Sequence, residues 1–202
     1  MKVLHIDSGI MGEASVSRQM SAKVMSKLMA AHPDATVVYR DFANDPVAHL
    51  TPAHLAVAQG FMTDPSPELA ADLAFGGELL DEFMASDVIV IGASLYNLTV
   101  STGLKAWLDR ILIAGRTFRY SEDGVREGLA KGKKVILCVS RGGFYQEGGA
   151  AAAMEYCERY LRDIFAFIGI EDVQAVTADG TRVGFLDQAL AQADEQIAAL
   201  TV

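Results

Sequence analysis

The strongest constraint on this chain is an alternation of two hydrophobic periods. Short runs rich in β-branched residues are separated by long stretches whose apolar residues recur every three or four positions, the pattern of parallel strands joined by crossover helices. Five strands are predicted, over Lys2 to Ile6, Ala35 to Tyr39, Val88 to Ala93, Lys134 to Ser140 and Asp172 to Ala178. The third contains Val88-Ile89-Val90-Ile91 with no polar residue between, so it needs apolar cover on both faces and belongs inside the sheet. Helices are predicted over Ser17 to Ala31, Thr102 to Ile113, Ala151 to Ile168 and Phe185 to Leu200. The third of these carries Met154, Cys157, Leu161, Ile164, Phe165 and Ile168 on one side. Thr51-Pro52 and Ser66-Pro67-Glu68 start two more, since a hydroxyl caps free N–H groups and proline loses nothing at the first helical position. Thr117-Phe118-Arg119-Tyr120, followed by Ser121-Glu122-Asp123-Gly124, predicts a hairpin-like excursion.

Right-handed crossovers between five such strands give an α/β, flavodoxin-like fold: a five-stranded parallel sheet with helices on both faces, and a ligand outside the carboxyl ends of the strands. A length of 202 residues suits one domain over residues 1–202. The chain has 26 acidic against 17 basic residues and a net charge of −9, so no nucleic-acid or acidic-membrane partner is expected. Asp7 follows the start too closely for a signal-peptide core, and no apolar run approaches the roughly 20 residues of a membrane span. A cytoplasmic protein is expected. Cys138 and Cys157 show no C-x-x-C spacing and read as core thiols.

The fold directs attention to the loops after the first, third and fourth strands. The first, Asp7 to Ser17, carries Ser8, Ser15 and Ser17 into a helix N-terminus. It reads either as a cradle for an anion, held by N–H groups and hydroxyls, or as an ordinary loop with Ser15 or Ser17 as N-cap. The second runs from Ser94 through Leu95, Tyr96, Asn97 and Leu98 to Thr102, and the third is Ser140-Arg141-Gly142-Gly143-Phe144-Tyr145. A flat heteroaromatic ring needs a wall, which Tyr96 offers, and backbone groups close to its polar edge. Gly142 and Gly143 permit that approach, and Asn97 adds an amide. Either loop alone reads equally as a tight turn with a buried tyrosine.

Ser8, Ser15-Val16-Ser17, Leu95-Tyr96-Asn97-Leu98 and Ser140-Arg141-Gly142-Gly143 together resemble the FMN-binding segments of bacterial FMN-dependent NADH-azoreductases, also called NADH:quinone oxidoreductases. The similarity continues through Asp87 to Ile91, Ser101-Thr102-Gly103-Leu104-Lys105, Thr117 to Tyr120, Gly132-Lys133-Lys134 and Phe167 to Ile170, nearly the whole chain. The resemblance implies FMN as cofactor, NADH or NADPH as donor, quinones or azo compounds as acceptors, a two-electron ping-pong mechanism and a homodimer. Catalysis then needs no protein acid or base. Asn97 and Tyr120 become candidate substrate contacts, and Phe118, Tyr120 or Phe165 candidates to wall a partner's site. Arg141, or the Gly142-Gly143 amides, would balance charge on the reduced flavin, unless Arg141 serves a structural ion pair. Gly9, Leu98 and Tyr145 depart from the serine, phenylalanine and histidine that many members carry there.

The sequence also offers three rival readings. Gly92-Ala93-Ser94-Leu95-Tyr96 is one residue short of a hydrolase nucleophile elbow, but all four histidines precede Ser94, against the chain order of that triad. The same histidines show no metal-ligand spacing, so no metal is expected. The alternative that survives is a flavodoxin-type electron carrier with a protein partner.

Overall fold

The all-apolar run at Val88 lies where its pattern requires, inside a parallel sheet. The computed structural model describes residues 1–202, with strands β1 (Lys2–Asp7), β2 (Thr36–Asp41), β3 (Val88–Ser94), β4 (Phe118–Tyr120), β5 (Arg126–Gly128), β6 (Lys134–Ser140) and β7 (Asp172–Ala178). Helices are α1 (Val16–Ala31), α2 (Pro52–Ala58), α3 (Pro67–Ala85), α4 (Thr102–Ile111), α5 (Glu158–Phe167) and α6 (Leu186–Ala199). The main sheet has the order β2-β1-β3-β6-β7, all parallel. β4 and β5 form a separate antiparallel hairpin.

Successive side chains of a strand face opposite ways, and the two cores follow from that. Ile89 and Ile91 join Leu4, Ile6, Val135 and Leu137 on the face covered by α3, α4 and α5, where Trp107, Phe83 and Phe165 are fully buried. Val88 and Val90 join Val3, Ile136 and Val176 against Met20, Val24 and Leu28 of α1 and Ala189 and Ala193 of α6. Cys138 and Cys157 are buried, free thiols, and burial pushes the Cys157 thiol up to about 12. No helix is long and apolar enough to cross a membrane.

Two predicted helices are shorter than their apolar patterns. α4 stops at Ile111 because the buried Thr117 hydroxyl donates to the Ile111 carbonyl at 2.7 Å and accepts the Ile113 N–H at 3.1 Å. The segment predicted as helix from Ala151 forms only a 3₁₀ turn at Ala152–Met154, and Met154 is exposed. The Glu155 carboxylate accepts the N–H groups of Cys157, Glu158 and Arg159 at 3.0 to 3.2 Å, so α5 starts there. An alanine run raised helix propensity, but side-chain capping fixed the start.

Candidate active site

The carboxyl ends of the strands open onto a cleft of about 360 Å³. The loop after β1 contributes Met11, Ala14, Ser15 and Val16; β3 and its loop, Ser94, Leu95 and Tyr96; β6 and its loop, Ser140 and Gly142. Thr181, Arg182 and Leu186 close the remaining side. Neither a carboxylate nor an imidazole lines this cleft, and Arg182 is its one charged side chain.

Four buried hydroxyls from three strand ends form a continuous chain beside it; Ser15, Ser94 and Ser140 line the cleft, and Ser17 lies behind them. Ser15 Oγ lies 3.0 Å from Ser17 Oγ, Ser17 Oγ 2.9 Å from Ser94 Oγ, and Ser94 Oγ 2.9 Å from Ser140 Oγ. Ser15 is the N-cap of α1, yet its side chain turns to Ser17 instead of capping. The N–H groups of Val16, Ser17 and Arg18 therefore have no protein acceptor. Unlike α3, α5 and α6, α1 also lacks an acidic residue in its first turn. Its partial positive charge is thus unmatched by any side chain of its own first turn. A Cβ on Gly9 would come within 2.2 Å of Ser15 Oγ, so the absence of a side chain at Gly9 makes room for that hydroxyl. Ser8 serves the sheet: its N–H and Oγ both donate to the Gly92 carbonyl, at 3.1 and 2.9 Å.

Beneath the cradle lies a charged network. Arg18 pairs with Asp41 at 2.8 Å and Asp7 at 3.5 Å, and Asp7 accepts from Ser21 at 2.7 Å and Tyr39 at 3.1 Å. Burial and Asp7 raise the Tyr39 phenol to about 12. His5 sits 3.6 Å from Asp7, but burial outweighs that attraction and lowers the imidazole below its ordinary value.

Tyr96 accepts the Ile10 N–H on its phenol oxygen at 3.1 Å, tying the first loop to the second. Tyr96 and Thr99 exchange backbone hydrogen bonds of 2.8 and 3.0 Å around Asn97 and Leu98, whose φ angles are 47° and 75°. Both central residues of this two-residue hairpin turn are left-handed, as in a type I′ turn. Asparagine tolerates that region; leucine pays about 1–2 kcal/mol for it. The Leu98 carbonyl is held by the Tyr156 N–H at 3.0 Å.

After β6, the carbonyls of Arg141, Gly142 and Gly143 accept from Thr181, Arg182 and Gly180 at 2.9 to 3.1 Å. The Gly142 and Gly143 N–H groups make no such bond and stay available. The Arg141 side chain resolves in favour of the ion pair: it is buried among Glu158 at 2.6 Å and Glu155 and Asp179 at 3.4 Å, and does not line the cleft. Burial opposes its charge, but those three carboxylates hold its pKa above the usual value.

The expected aromatic walls lie elsewhere. Phe165 is fully buried core. The hairpin carrying Phe118 and Tyr120 packs at the amino ends of the strands: Phe118 meets Phe167 at 4.9 Å, and Gly128 lies against Gly169, just ahead of β7. Tyr120 is 59% exposed there and cannot touch the cleft of its own chain. Ser94, the residue of the near-elbow, has only hydroxyl partners. Thr181, Arg182 and Leu186 lie outside the three loops that the sequence pattern singles out; the loop after β7, marked by Gly180 and Gly184, ends on the same edge.

A family model described as the flavodoxin-like fold matches residues 1–200. The FMN-dependent NADH:quinone oxidoreductase of Xanthomonas campestris pv. campestris is 50% identical over 204 residues, covering 100% of both chains. That of Methylorubrum populi is 52% identical over 202 residues, covering 99% of this chain and 98% of its own. Among solved structures, the FMN-dependent NADH-azoreductase of Bacillus anthracis in complex with FMN superposes with a TM-score of 0.89 at 28% identity, covering 98% of this chain and 96% of its own. With the five-stranded order, the cradle at α1 and this likeness along its whole length, the chain belongs to the family of FMN-dependent NADH:quinone oxidoreductases, built on the flavodoxin-like fold.

Proposed function

We infer that residues 1–202 form one FMN-binding domain that reduces quinones and azo compounds with NADH or NADPH, by a two-electron ping-pong mechanism. The observation that carries this reading is the cradle: three N–H groups without acceptors at the start of α1, next to the buried hydroxyls of Ser15 and Ser17. These residues fit a phosphate. The free N–H of Gly142 fits the polar edge of a flat ring, with Gly143 next to it just outside the lining, Tyr96 and Leu95 fit its wall, and Asn97, exposed on its strained turn, the rim over which a substrate enters. When bound, FMN supplies two-electron redox chemistry between nicotinamide and acceptor.

The chain itself binds, orients and excludes water. No carboxylic acid or imidazole lines the cleft, and we assign the acceptor's protons to solvent. We assign the stabilisation of negative charge to the free Gly142 N–H at the cleft wall, with Gly143 beside it, rather than to the paired Arg141. One cleft serves both substrates, so the oxidised nicotinamide leaves before the acceptor enters. Tyr120 contributes to a substrate site only across a subunit contact, which agrees with a homodimer. Two free buried thiols agree with a cytoplasmic setting.

The test is direct. The purified protein is expected to be yellow, or to bind one FMN and melt at a higher temperature in its presence. A colourless protein whose melting temperature FMN leaves unmoved would overturn the reading. Initial rates over a grid of NADH and quinone concentrations are expected to give parallel double-reciprocal lines; intersecting lines would refute the alternating use of one site.

A further inference from the structure

We propose that Arg182 selects electron acceptors bearing a negatively charged substituent, a carboxylate or sulfonate on an aromatic body, over neutral ones of the same shape. The inference rests on the FMN reading above. Arg182 is the only basic side chain lining the cleft, and no acidic side chain lines it. It makes no ion pair, and its side chain donates no hydrogen bond to the protein, whereas Arg18, Arg110 and Arg141 are all tied to carboxylates. In a chain of net charge −9 the background field repels an anion, so an unpaired guanidinium at the cleft mouth decides whether an anionic acceptor is admitted.

Its placement is fixed by the loops. The Arg182 N–H donates to the Gly142 carbonyl at 3.1 Å, and its stem lies across Gly142, where a Cβ would meet Arg182 Cγ at 3.2 Å. Glycine at that position lets the arginine lie flat on the backbone. Leu186 and Met11 line the same cleft and offer apolar cover for the aromatic body. The loop that carries Arg182 follows β7, two strands beyond β3 in the sheet order, whereas the Ser17 hydroxyl meets Ser94 at the end of β3. The cradle already has its own donors for the FMN phosphate, the free N–H groups of Val16, Ser17 and Arg18.

The experiment uses the oxidised FMN-loaded protein and two matched probes, anthraquinone-2-sulfonate and the neutral 2-(hydroxymethyl)anthraquinone. Dissociation constants are read from the change in flavin absorbance, so no turnover is needed. Arg182→Gln is expected to weaken the sulfonate by about tenfold or more, the loss of a charge-assisted pair, and the neutral probe by less than about twofold. Arg182→Lys keeps the charge without the planar fork and is expected to fall between. The sulfonate constant of the unaltered protein should also rise with ionic strength while that of the neutral probe does not. Equal effects on both probes, or none, would overturn the proposal. So would an Arg182→Gln protein that binds FMN weakly but riboflavin normally with the probe ratio unchanged, because the guanidinium would then serve the FMN phosphate. A protein that takes up no FMN at all would overturn the underlying reading, and this proposal with it.

Discussion

Replacing Ser17 by alanine cuts the hydroxyl chain at its second member and separates two contributions that the fold has combined. Ser17 is fully buried and bonds Ser15 on one side and Ser94 on the other. Ser94 keeps Ser140, at 2.9 Å, whereas Ser15 loses the only side-chain partner of its hydroxyl. Two buried hydrogen bonds at about 1 kcal/mol each make the expected loss of stability about 2 kcal/mol. For a chain of this length that is a fall of roughly 4–8 °C in melting temperature. The second contribution appears only with ligand. If the hydroxyl donates to the FMN phosphate, a charge-assisted bond of about 1.5–3 kcal/mol is lost, and FMN binds roughly 10- to 150-fold more weakly. Riboflavin has no phosphate and is expected to lose less than about threefold, a change of well under 1 kcal/mol. Titrating the apoprotein with each flavin, followed by quenching of flavin fluorescence, measures both. Equal losses for FMN and riboflavin would refute the cradle even if the melting temperature fell as calculated.

Arg141→Met leaves Glu155, Glu158 and Asp179 without their shared cation, at a cost of about 3–5 kcal/mol, and is expected to lower the melting temperature by on the order of 10 °C while FMN affinity stays within about twofold. Lost FMN affinity at unchanged stability would put the guanidinium in the cleft after all. Leu98→Gly creates Asn-Gly, the pair preferred in this turn, and is expected to stabilise the chain by about 1 kcal/mol, read as a higher urea midpoint. His5 is held neutral by burial, with its pKa below the ordinary 6.5, so below pH 6.5 the unfolded chain binds a proton that the folded chain does not. Stability is then lost as pH falls from 6.5 toward the folded value, and His5→Asn is expected to flatten that part of the urea-midpoint profile; an unchanged slope would reject the assignment.

The layers of the fold were legible because they are written by period. β6 and β7 match their predicted spans, and β1, β2 and β3 differ only at their ends, since one or two hydrogen bonds extend a strand past its last β-branched residue. Helix ends were less legible because polar side chains lying outside the helices set them. Thr117 ends α4 from six residues beyond Ile111, and Glu155 starts α5 by turning its carboxylate back on three N–H groups. Apolar spacing carries no trace of either.

The site divides along the same line. Backbone-presenting positions could be read from composition: hydroxyls before a helix, and paired glycines after a strand. Side-chain direction could not. Arg141 and Arg182 both belong to loops at the carboxyl edge, and by residue type either suits an anion. Arg141 turns under the sheet edge because Glu155, Glu158 and Asp179 converge there from α5 and the end of β7, a meeting that exists only once those elements have packed. Arg182 faces the cleft because Gly142 leaves its stem a flat surface and no carboxylate stands near enough to claim it. The cation available to a ligand is therefore selected by the positions of acids elsewhere in the chain, and a guanidinium is free at the cleft because the other loop's guanidinium is not.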